Sequence, residues 1–253
     1  MNELQGRKAL VTGAAQGLGK AIAELFVQRG AQVMLADVNE AGVARTASEL
    51  GSQARAIRCD VTVAGDFDKA VAATVEAFGA MDTLVNNAGI EIVKPLFEHS
   101  EEEFERLMKI NVTSVFLGMK HSAAALIASG RGVVVNMSSL AGLNGVPLFG
   151  AYAASKSAVL QLTRTAAAEL RPLGIRVNAV CPGFVDTAMV ERLIPTVEAA
   201  VGVPFDALVA LKQGRLGTRL EVAEAVAYLA SDAASFTSGA EFLLDGGMSA
   251  SLL

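Results

Sequence analysis

The segment Thr12-Gly13-Ala14-Ala15-Gln16-Gly17-Leu18-Gly19 constrains this chain more than any other. A short apolar run, Ala9-Leu10-Val11, precedes it and reads as a buried strand. Leu18 to Arg29 follows, apolar at 18, 22, 25 and 26, and reads as a helix closed by Gly30. A strand must therefore turn tightly into a helix. Gly13 permits the turn, while Gly17 and Gly19 let the backbone approach a ligand and the helix pack on the strand. The helix start offers free N–H groups and a partial positive charge, which suit a pyrophosphate. The spacing is G-x-x-x-G-x-G rather than the commoner G-x-G-x-x-G, and a Gly-rich turn without a ligand is the competing reading.

The rest of the chain alternates strand and helix with no break in composition. Strand candidates are Gln32–Ala36, Ala54–Arg58, Thr83–Asn86, Gly132–Met137, Arg176–Val180 and Glu241–Leu244. Helices are expected near 40–50, 65–78, 101–109, 111–129, 152–171 and 221–231, two of them opened by the capping boxes Ser100-x-x-Glu103 and Thr218-x-x-Glu221. Such alternation implies a parallel sheet with right-handed crossovers and helices on both faces. The chain is 52% hydrophobic but only 5% aromatic, with no Trp. Its core must be built from Ala, Val, Leu and Gly, as suits parallel strands covered on both faces. At 253 residues, an α/β chain of this kind is expected to form one domain. One irregular stretch, 184–216, carries apolar residues at 189, 190, 193, 194, 197, 201, 205 and 208. It reads as a lid beyond the carboxyl ends of the strands, with an ordinary amphipathic helix pair as the alternative.

Two places carry chemistry. The second strand ends in Asp37, whose carboxylate can accept hydrogen bonds from both hydroxyls of an adenosine ribose and would repel a 2′-phosphate. Neither Gln16 nor Val38 is basic, so the pair favours NAD over NADP; a simple helix cap is the alternative for Asp37. Further on, Tyr152 and Lys156 stand at i and i+4 of a helix, and so share a face. A Lys ammonium beside a phenol stabilises the phenolate and is expected to lower the Tyr pKa. Ser139 lies upstream, at the end of a strand. Ser138 could serve instead on composition alone, though the spacing to Tyr152 favours Ser139.

Other classes of function find little support. Net charge is −5 and the pI about 5.2, with no basic stripe for nucleic acid. The longest uncharged stretch, Gly132–Ser155, is interrupted throughout by Asn, Ser, Gly and Pro, which argues against a membrane span. Met1–Lys8 is charged and too short for a signal peptide, and a cytoplasmic protein is expected. Cys59 and Cys181 suggest no disulfide framework, Cys181 reading as a strand-end core residue; His99 and His121 have no second metal ligand at useful spacing. Tyr228 reads as core.

Taken together, these motifs resemble the short-chain dehydrogenase/reductase family, in its single-domain branch. Thr12-Gly13-x-x-x-Gly17-x-Gly19 looks like that family's cofactor turn, Asn86-Asn87-Ala88-Gly89 like its motif after the fourth strand, and Tyr152-x-x-x-Lys156 like its active-site pair. Asp60-Val61 resembles its adenine-contacting pair. Asn111, Ser139, and Pro182-Gly183 followed by Val185 and Thr187 complete the set, from Gly6 to Gly247. The resemblance implies a Rossmann-type doubly wound sheet of seven parallel strands in the order 3-2-1-4-5-6-7. It also implies an oxidoreductase that interconverts a secondary alcohol and a ketone with a nicotinamide cofactor. Ser139 and Tyr152 would hydrogen-bond the substrate oxygen, Lys156 would hold the nicotinamide ribose, Thr187 the carboxamide, and Asn111 a water leading to Lys156. On its own, Asn111 reads equally as a helix N-cap. Gln16, Leu18, Asn87, Ala88 and Gly89 would line the cofactor cleft.

The substrate candidates are Ser139, Leu140, Asn144, Phe149, Tyr152, Met189 and Leu193, with Glu91, Val93, Val146, Val190 and Ile194 nearby. Most are apolar, which suggests a hydrophobic alcohol or ketone, steroid-like or bulky. A 3-oxoacyl-thioester reductase and a non-catalytic nucleotide-sensing regulator are the alternatives; Asp37 weakens the first, and the intact Ser139, Tyr152 and Lys156 the second. The small residues of the 153–170 helix, and of Ser122-Ala123-Ala124-Ala125, would let neighbouring helices approach closely. The resemblance then implies a homo-oligomer, expected to be a tetramer, with Leu252 and Leu253 crossing a second interface.

Overall fold

The computed structural model describes residues 3–250. Leu252 and Leu253, expected at a subunit interface, lie outside the described residues. Seven strands form one parallel sheet: β1 (Lys8–Thr12), β2 (Gln32–Asp37), β3 (Ala54–Arg58), β4 (Thr83–Asn86), β5 (Val133–Met137), β6 (Arg176–Pro182) and β7 (Glu241–Leu244). Their order is β3-β2-β1-β4-β5-β6-β7, as expected. The order reverses between β1 and β4, and a ligand cleft in such a sheet opens beyond the carboxyl ends of the strands at that point.

Alternation along each strand sends successive side chains to opposite faces. Ala9 and Val11 join one buried cluster, with α1 (Gly17–Gln28) and α9 (Arg219–Ala230). Leu10 joins the other, with α3 (Ala64–Phe78), α5 (Ser114–Ala128) and α6 (Gly150–Leu170). Because both faces are covered, the central strands read as near-continuous Val and Leu runs. α2 (Glu40–Leu50) is capped by Asn39, whose side chain accepts from the Gly42 N–H at 3.0 Å. Both expected capping boxes are present, at Ser100 and Thr218.

Two expectations need correction. Helices anticipated at 101–109 and 111–129 are one continuous run, α4 (Glu101–Met108) passing into α5 through a π-helical turn at Lys109–Thr113. Asn111 sits inside that turn and opens no helix. A π-turn leaves hydropathy almost unchanged, so nothing in the sequence marks it, yet such turns recur at functional sites. The combined helix, Glu101–Ala128, is the one among the described residues that is long and apolar enough to cross a membrane. It lies along the sheet, with Val115, Met119 and Leu126 in the core. The second correction is Tyr228, which is half-exposed on α9, its ring tilted against Phe242 at 6.1 Å.

The stretch 184–216 folds as α7 (Ala188–Val201) and α8 (Phe205–Lys212), bent 88° to each other. Val190, Leu193, Val197, Phe205 and Val209 bury themselves against Phe149 in a separate apolar cluster over the end of the sheet. The amphipathic helix pair is thus present, and Met189, Val190 and Leu193 of α7 line a cleft at this end of the sheet.

Candidate functional site

The Gly-rich turn connects β1 to α1 as the glycine spacing demands. Gly13 and Gly17 both have positive φ, +66° and +59°. A Cβ on Gly13 would lie 2.9 Å from the Ala88 Cα, whereas one on Gly17 would meet only open space. Gly13 is therefore required by packing, and Gly17 faces the cleft. No side chain caps α1: Gln16 occupies the N-cap in extended conformation without a cap bond. Its first-turn N–H groups remain for an anion.

The segment after β4 is tied onto this turn. Asn87 Nδ2 donates to the Thr12 and Gly13 carbonyls at 2.9 and 3.2 Å, and the Asn87 and Ala88 N–H groups donate to Thr12 Oγ1 at 3.0 and 3.2 Å. These bonds hold the Asn87–Ala88 segment against the Gly-rich turn. Thr12 is a bracing residue that its place in the Gly motif did not reveal. Asp37, at the end of β2, accepts from the Ala15 N–H at 3.0 Å and from the Asn39 N–H at 2.9 Å. The ribose-binding and structural readings of Asp37 are compatible, since a carboxylate offers about four acceptor sites. Asp60 accepts from the Thr62 N–H and hydroxyl at 2.9 and 2.7 Å, and Val61 beside it is buried.

At the far side of the cleft, Pro182 ends β6, and the Gly183 N–H donates to the Leu244 carbonyl at 2.8 Å. A Cβ on Gly183 would lie 2.5 Å from Gln213 Oε1. Gln213 is buried, accepts from the Phe184 N–H at 2.8 Å and donates back to the Phe184 carbonyl at 2.7 Å. This brace comes from a distant residue and has no local sequence signal. Val185 is buried, and Thr187 caps α7, accepting from the Val190 N–H at 3.3 Å.

The reactive groups meet where β5, α6 and the π-turn converge. Lys156 is buried, with Nζ 5.6 Å above the Tyr152 ring, and it donates to the Met137 carbonyl at 2.8 Å. Ser139 Oγ accepts from the Ala141 N–H at 3.1 Å, and Ser139 and Tyr152 line the same cleft. Ser138 instead donates to the Lys156 carbonyl at 2.9 Å and is buried, which fixes it as a structural residue. Asn111 is held on three sides. Its Oδ1 accepts from the Ile90 N–H at 2.9 Å, and its Nδ2 donates to the Ile90 carbonyl at 2.9 Å and to Ser155 Oγ at 3.0 Å. A Cβ on Gly89 would lie 3.2 Å from Asn111 Oδ1, a tight contact, and 3.5 Å from Lys156 Nζ, so Gly89 stands beside both groups.

Electrostatics differ from expectation. Burial pushes the Tyr152 phenol up to about 12, Ser139 opposing and Glu91 adding to the rise. Burial also brings the Lys156 ammonium down to about 8. The expected lowering of Tyr152 by Lys156 is absent, because desolvation disfavours the charged form of both groups. Burial likewise pushes the Cys181 thiol up to about 12, and Cys181 packs in the core with Leu160 and Ala179.

Ser139 and Tyr152 open into a cleft of about 620 Å³, counting the open solvent at its mouth. Of the expected substrate residues, Leu140, Phe149, Met189 and Leu193 line it, as do Glu91, Val146 and Val190. Asn144 does not. It is exposed, and its Nδ2 reaches back to the Leu140 carbonyl at 3.4 Å. In the same loop Leu148 takes the left-handed conformation, φ 71°, which is uncommon without Gly. Phe184 and Met248 complete the lining unanticipated, Met248 arriving from the chain's far end.

Comparison with known proteins agrees with this geometry. Residues 13–249 match the family model described as enoyl-(acyl carrier protein) reductase. The chain is 43% identical to a 2,5-dichloro-2,5-cyclohexadiene-1,4-diol dehydrogenase of Sphingobium indicum, over 99% of this chain and 100% of the relative. It is 44% identical to a cis-4-hydroxycyclohexanecarboxylate dehydrogenase of Sinomonas cyclohexanicum, over 96% and 97% of the two chains. It is 39% identical to a 3-alpha-(or 20-beta)-hydroxysteroid dehydrogenase of Mycobacterium tuberculosis, over 98% and 92%. With the fold, the Gly turn and the Ser–Tyr–Lys cluster, matches of this extent place the chain in the short-chain dehydrogenase/reductase family.

Proposed function

We propose that this oxidoreductase of CH–OH groups uses NAD(H) to interconvert a secondary alcohol and its ketone on a hydrophobic skeleton, with Tyr152 as acid and base. The observation that carries the reading is the presence of the Ser139 and Tyr152 hydroxyls together in a cleft that is apolar apart from them and Glu91. The nicotinamide, when bound, supplies or accepts the hydride and in its oxidised form adds a positive charge. The α1 N-terminus would hold the pyrophosphate, Asp37 the adenosine ribose, and Asn87 to Gly89 with Pro182, Gly183, Val185 and Thr187 the nicotinamide side. Ser139 and Tyr152 donate to the carbonyl oxygen and stabilise the developing alkoxide, which Tyr152 then protonates. Lys156 supplies a cation beneath the Tyr152 ring, and Asn111 fixes Ile90 and Ser155 around it. The names of the cyclohexane-type and steroid relatives support a ring alcohol, whereas the description of the family model keeps an acyl thioester as the second reading. Secondary alcohols and ketones, with an acyl thioester among them, assayed by nicotinamide absorbance, test the reading; reduction of the thioester alone would overturn it.

Asp37 should place NAD ahead of NADP in kcat/KM by about tenfold or more, roughly 1.4 kcal/mol. Arg58 stands opposite Asp37 in the β2–β3 register, but its guanidinium reaches Asp66 at 3.5 Å. Asp37→Ala should narrow the gap. A wild type that prefers NADPH would refute the assignment.

The pH dependence follows from the two shifted groups. Oxidation needs the Tyr152 phenolate, whose population below its pKa of about 12 rises about tenfold for each pH unit. Reduction needs the phenol, which is complete over that range, and a cation at Lys156, which is lost as pH rises through about 8. Alcohol oxidation should therefore accelerate on the alkaline side, while ketone reduction holds at neutral pH and declines above it. Profiles of identical shape in both directions would show that another step sets the rate.

A cytoplasmic homotetramer, without membrane or nucleic-acid partners, remains our reading of the assembly and its place. Phe104, Phe116 and Ile127 are exposed along the α4–α5 helix, and Ala154, Ser157 and Ala168 along α6. Large apolar groups beside small ones suit two copies packing helix to helix. Light scattering should return four times the chain mass of 26.1 kDa; a monomer at micromolar concentration would contradict it.

A further inference from the structure

One charged group stands in the wall of the substrate cleft. Glu91 follows the Asn86–Gly89 segment and lines the same cleft as Ser139 and Tyr152. Its side chain is only 10% exposed. The neighbouring wall is apolar: Leu140, Val146, Phe149, Met189 and Leu193. Its partner is Arg192 of α7, itself 60% exposed, whose Nη2 reaches Oε1 at 3.2 Å.

Two costs attach to this carboxylate. Burial in an apolar wall disfavours its charge and raises its pKa, which Arg192 opposes. Its negative charge also raises the pKa of the Tyr152 phenol, against alcohol oxidation. Neither effect helps folding or proton transfer. Neither Arg192 nor the residue's own backbone N–H exhausts the roughly four acceptor sites of a carboxylate. An acceptor placed among apolar groups, beside the reacting oxygen, is what discriminates substrates that carry a matching donor from those that lack it.

We propose that Glu91 is a specificity-determining residue whose carboxylate accepts a hydrogen bond from a second hydroxyl group of the substrate, so that this chain prefers ring diols to the corresponding mono-alcohols. The inference rests on the alcohol–ketone reaction proposed above. Arg192 acts as a positioning residue, keeping Glu91 ionised and turned toward the cleft while α7 covers it. A bound diol would present one hydroxyl to Ser139 and Tyr152 and the other to Glu91.

The test compares kcat/KM for cyclohexanol with that for the isomeric cyclohexanediols, with NAD+, in the wild type and in Glu91→Leu, Glu91→Gln and Arg192→Gln. A symmetric diol offers two hydroxyls, so a ratio near two is the purely statistical outcome. The wild type should prefer at least one diol by about tenfold or more, as a hydrogen bond to a charged group allows. Glu91→Leu should bring that ratio to about two; any effect of the lost charge on Tyr152 is common to both substrates and cancels in the ratio. Glu91→Gln should give an intermediate ratio, because a neutral acceptor makes a weaker bond. Should Glu91→Leu fail to fold, Glu91→Gln decides alone. Arg192→Gln should lower the diol preference without abolishing it, since it frees Glu91 but leaves the acceptor in place; an unchanged ratio would overturn the positioning role of Arg192. NADH binding, read by fluorescence, should be unchanged in all three variants.

A ratio near two in the wild type, an unchanged ratio in Glu91→Leu and Glu91→Gln, or an equal fall on both substrates would overturn the inference; the last would make Glu91 a lid fastener only. If the wild type oxidises other secondary alcohols but no cyclohexanediol, the inference about Glu91 fails by itself. If it oxidises no secondary alcohol, the proposed function fails with it.

Discussion

Tyr152→Phe should lower kcat by about 10²-fold or more, the range expected for losing a general acid–base group. The substitution keeps the ring, its T-shaped contact with Phe149 at 6.4 Å, and the face above which Lys156 Nζ sits at 5.6 Å. It removes only the phenolic hydroxyl. NADH binding should survive, because most of the groups assigned to the dinucleotide lie elsewhere, on the Gly turn, β2, the segment after β4 and Pro182 to Thr187. The measurement is steady-state turnover of a ketone, paired with NADH fluorescence titration. Near-normal turnover would remove Tyr152 from its role. Loss of binding along with turnover would mean that the hydroxyl, through Ser139, supports the cleft itself.

The displaced pKa values sharpen this expectation. A phenol near 12 above an ammonium near 8 is not, by itself, a strong base at neutral pH. The structure places the groups together but leaves burial dominant, so further positive charge in the cleft is needed to favour the phenolate. The oxidised nicotinamide carries such charge. Oxidation should therefore depend on cofactor charge more steeply than reduction does.

How far the sequence reveals this site depends on whether the signal is local. β1, Gly13, Gly17, Gly19 and α1 form one consecutive unit, so spacing alone specifies it. Strand order is a different matter: alternation and twist limit the choices, and the resemblance of the motifs supplies the rest. Asn111 was legible as a residue but not as part of a π-turn, because one extra residue in a helix hardly disturbs its hydropathy pattern. Asn144 lies exposed outside the cleft lining, and the left-handed Leu148 of the same loop, being a Leu, gives no warning of its conformation. Met248 reaches the cleft, and Gln213 braces the Phe184 backbone beside it, from far along the chain, where no periodicity applies. The Tyr152 pKa was read from its nearest partner, whereas burial, a property of the assembled fold, decides its direction. Local chemistry was thus visible and its dielectric surroundings were not.

Gly19→Ala tests the most rigid part of the design, and its effect should fall on both stability and cofactor affinity. Gly19 does not have positive φ, so conformational strain is not the reason for Gly here. The reason is contact. A Cβ at this position would lie 2.2 Å from the Gly13 carbonyl oxygen and 2.6 Å from Asn87 Nδ2. The first of these is backbone, itself hydrogen-bonded to Asn87, and cannot rotate aside. Relief requires α1 to move from β1, or the Asn87 bonds to Thr12 and Gly13 to break. Overpacking of this kind costs about 1–3 kcal/mol. At about 2–4 °C per kcal/mol for a chain of this size, the melting temperature without cofactor should fall by several degrees. NADH affinity should fall about tenfold or more, since the α1 N-terminus moves with the turn. Gly17→Ala is the matched control. Its Cβ meets no protein atom, and only its left-handed φ of +59° is penalised. It should melt within about 1–2 kcal/mol of wild type, the cost of one strained residue, yet bind NADH poorly because the methyl enters the cleft. Melting curves with and without NADH separate the two effects. If Gly19→Ala melts and binds like wild type, the turn is not held by the contacts described. If Gly17→Ala binds NADH normally, the dinucleotide does not cross the turn where α1 begins.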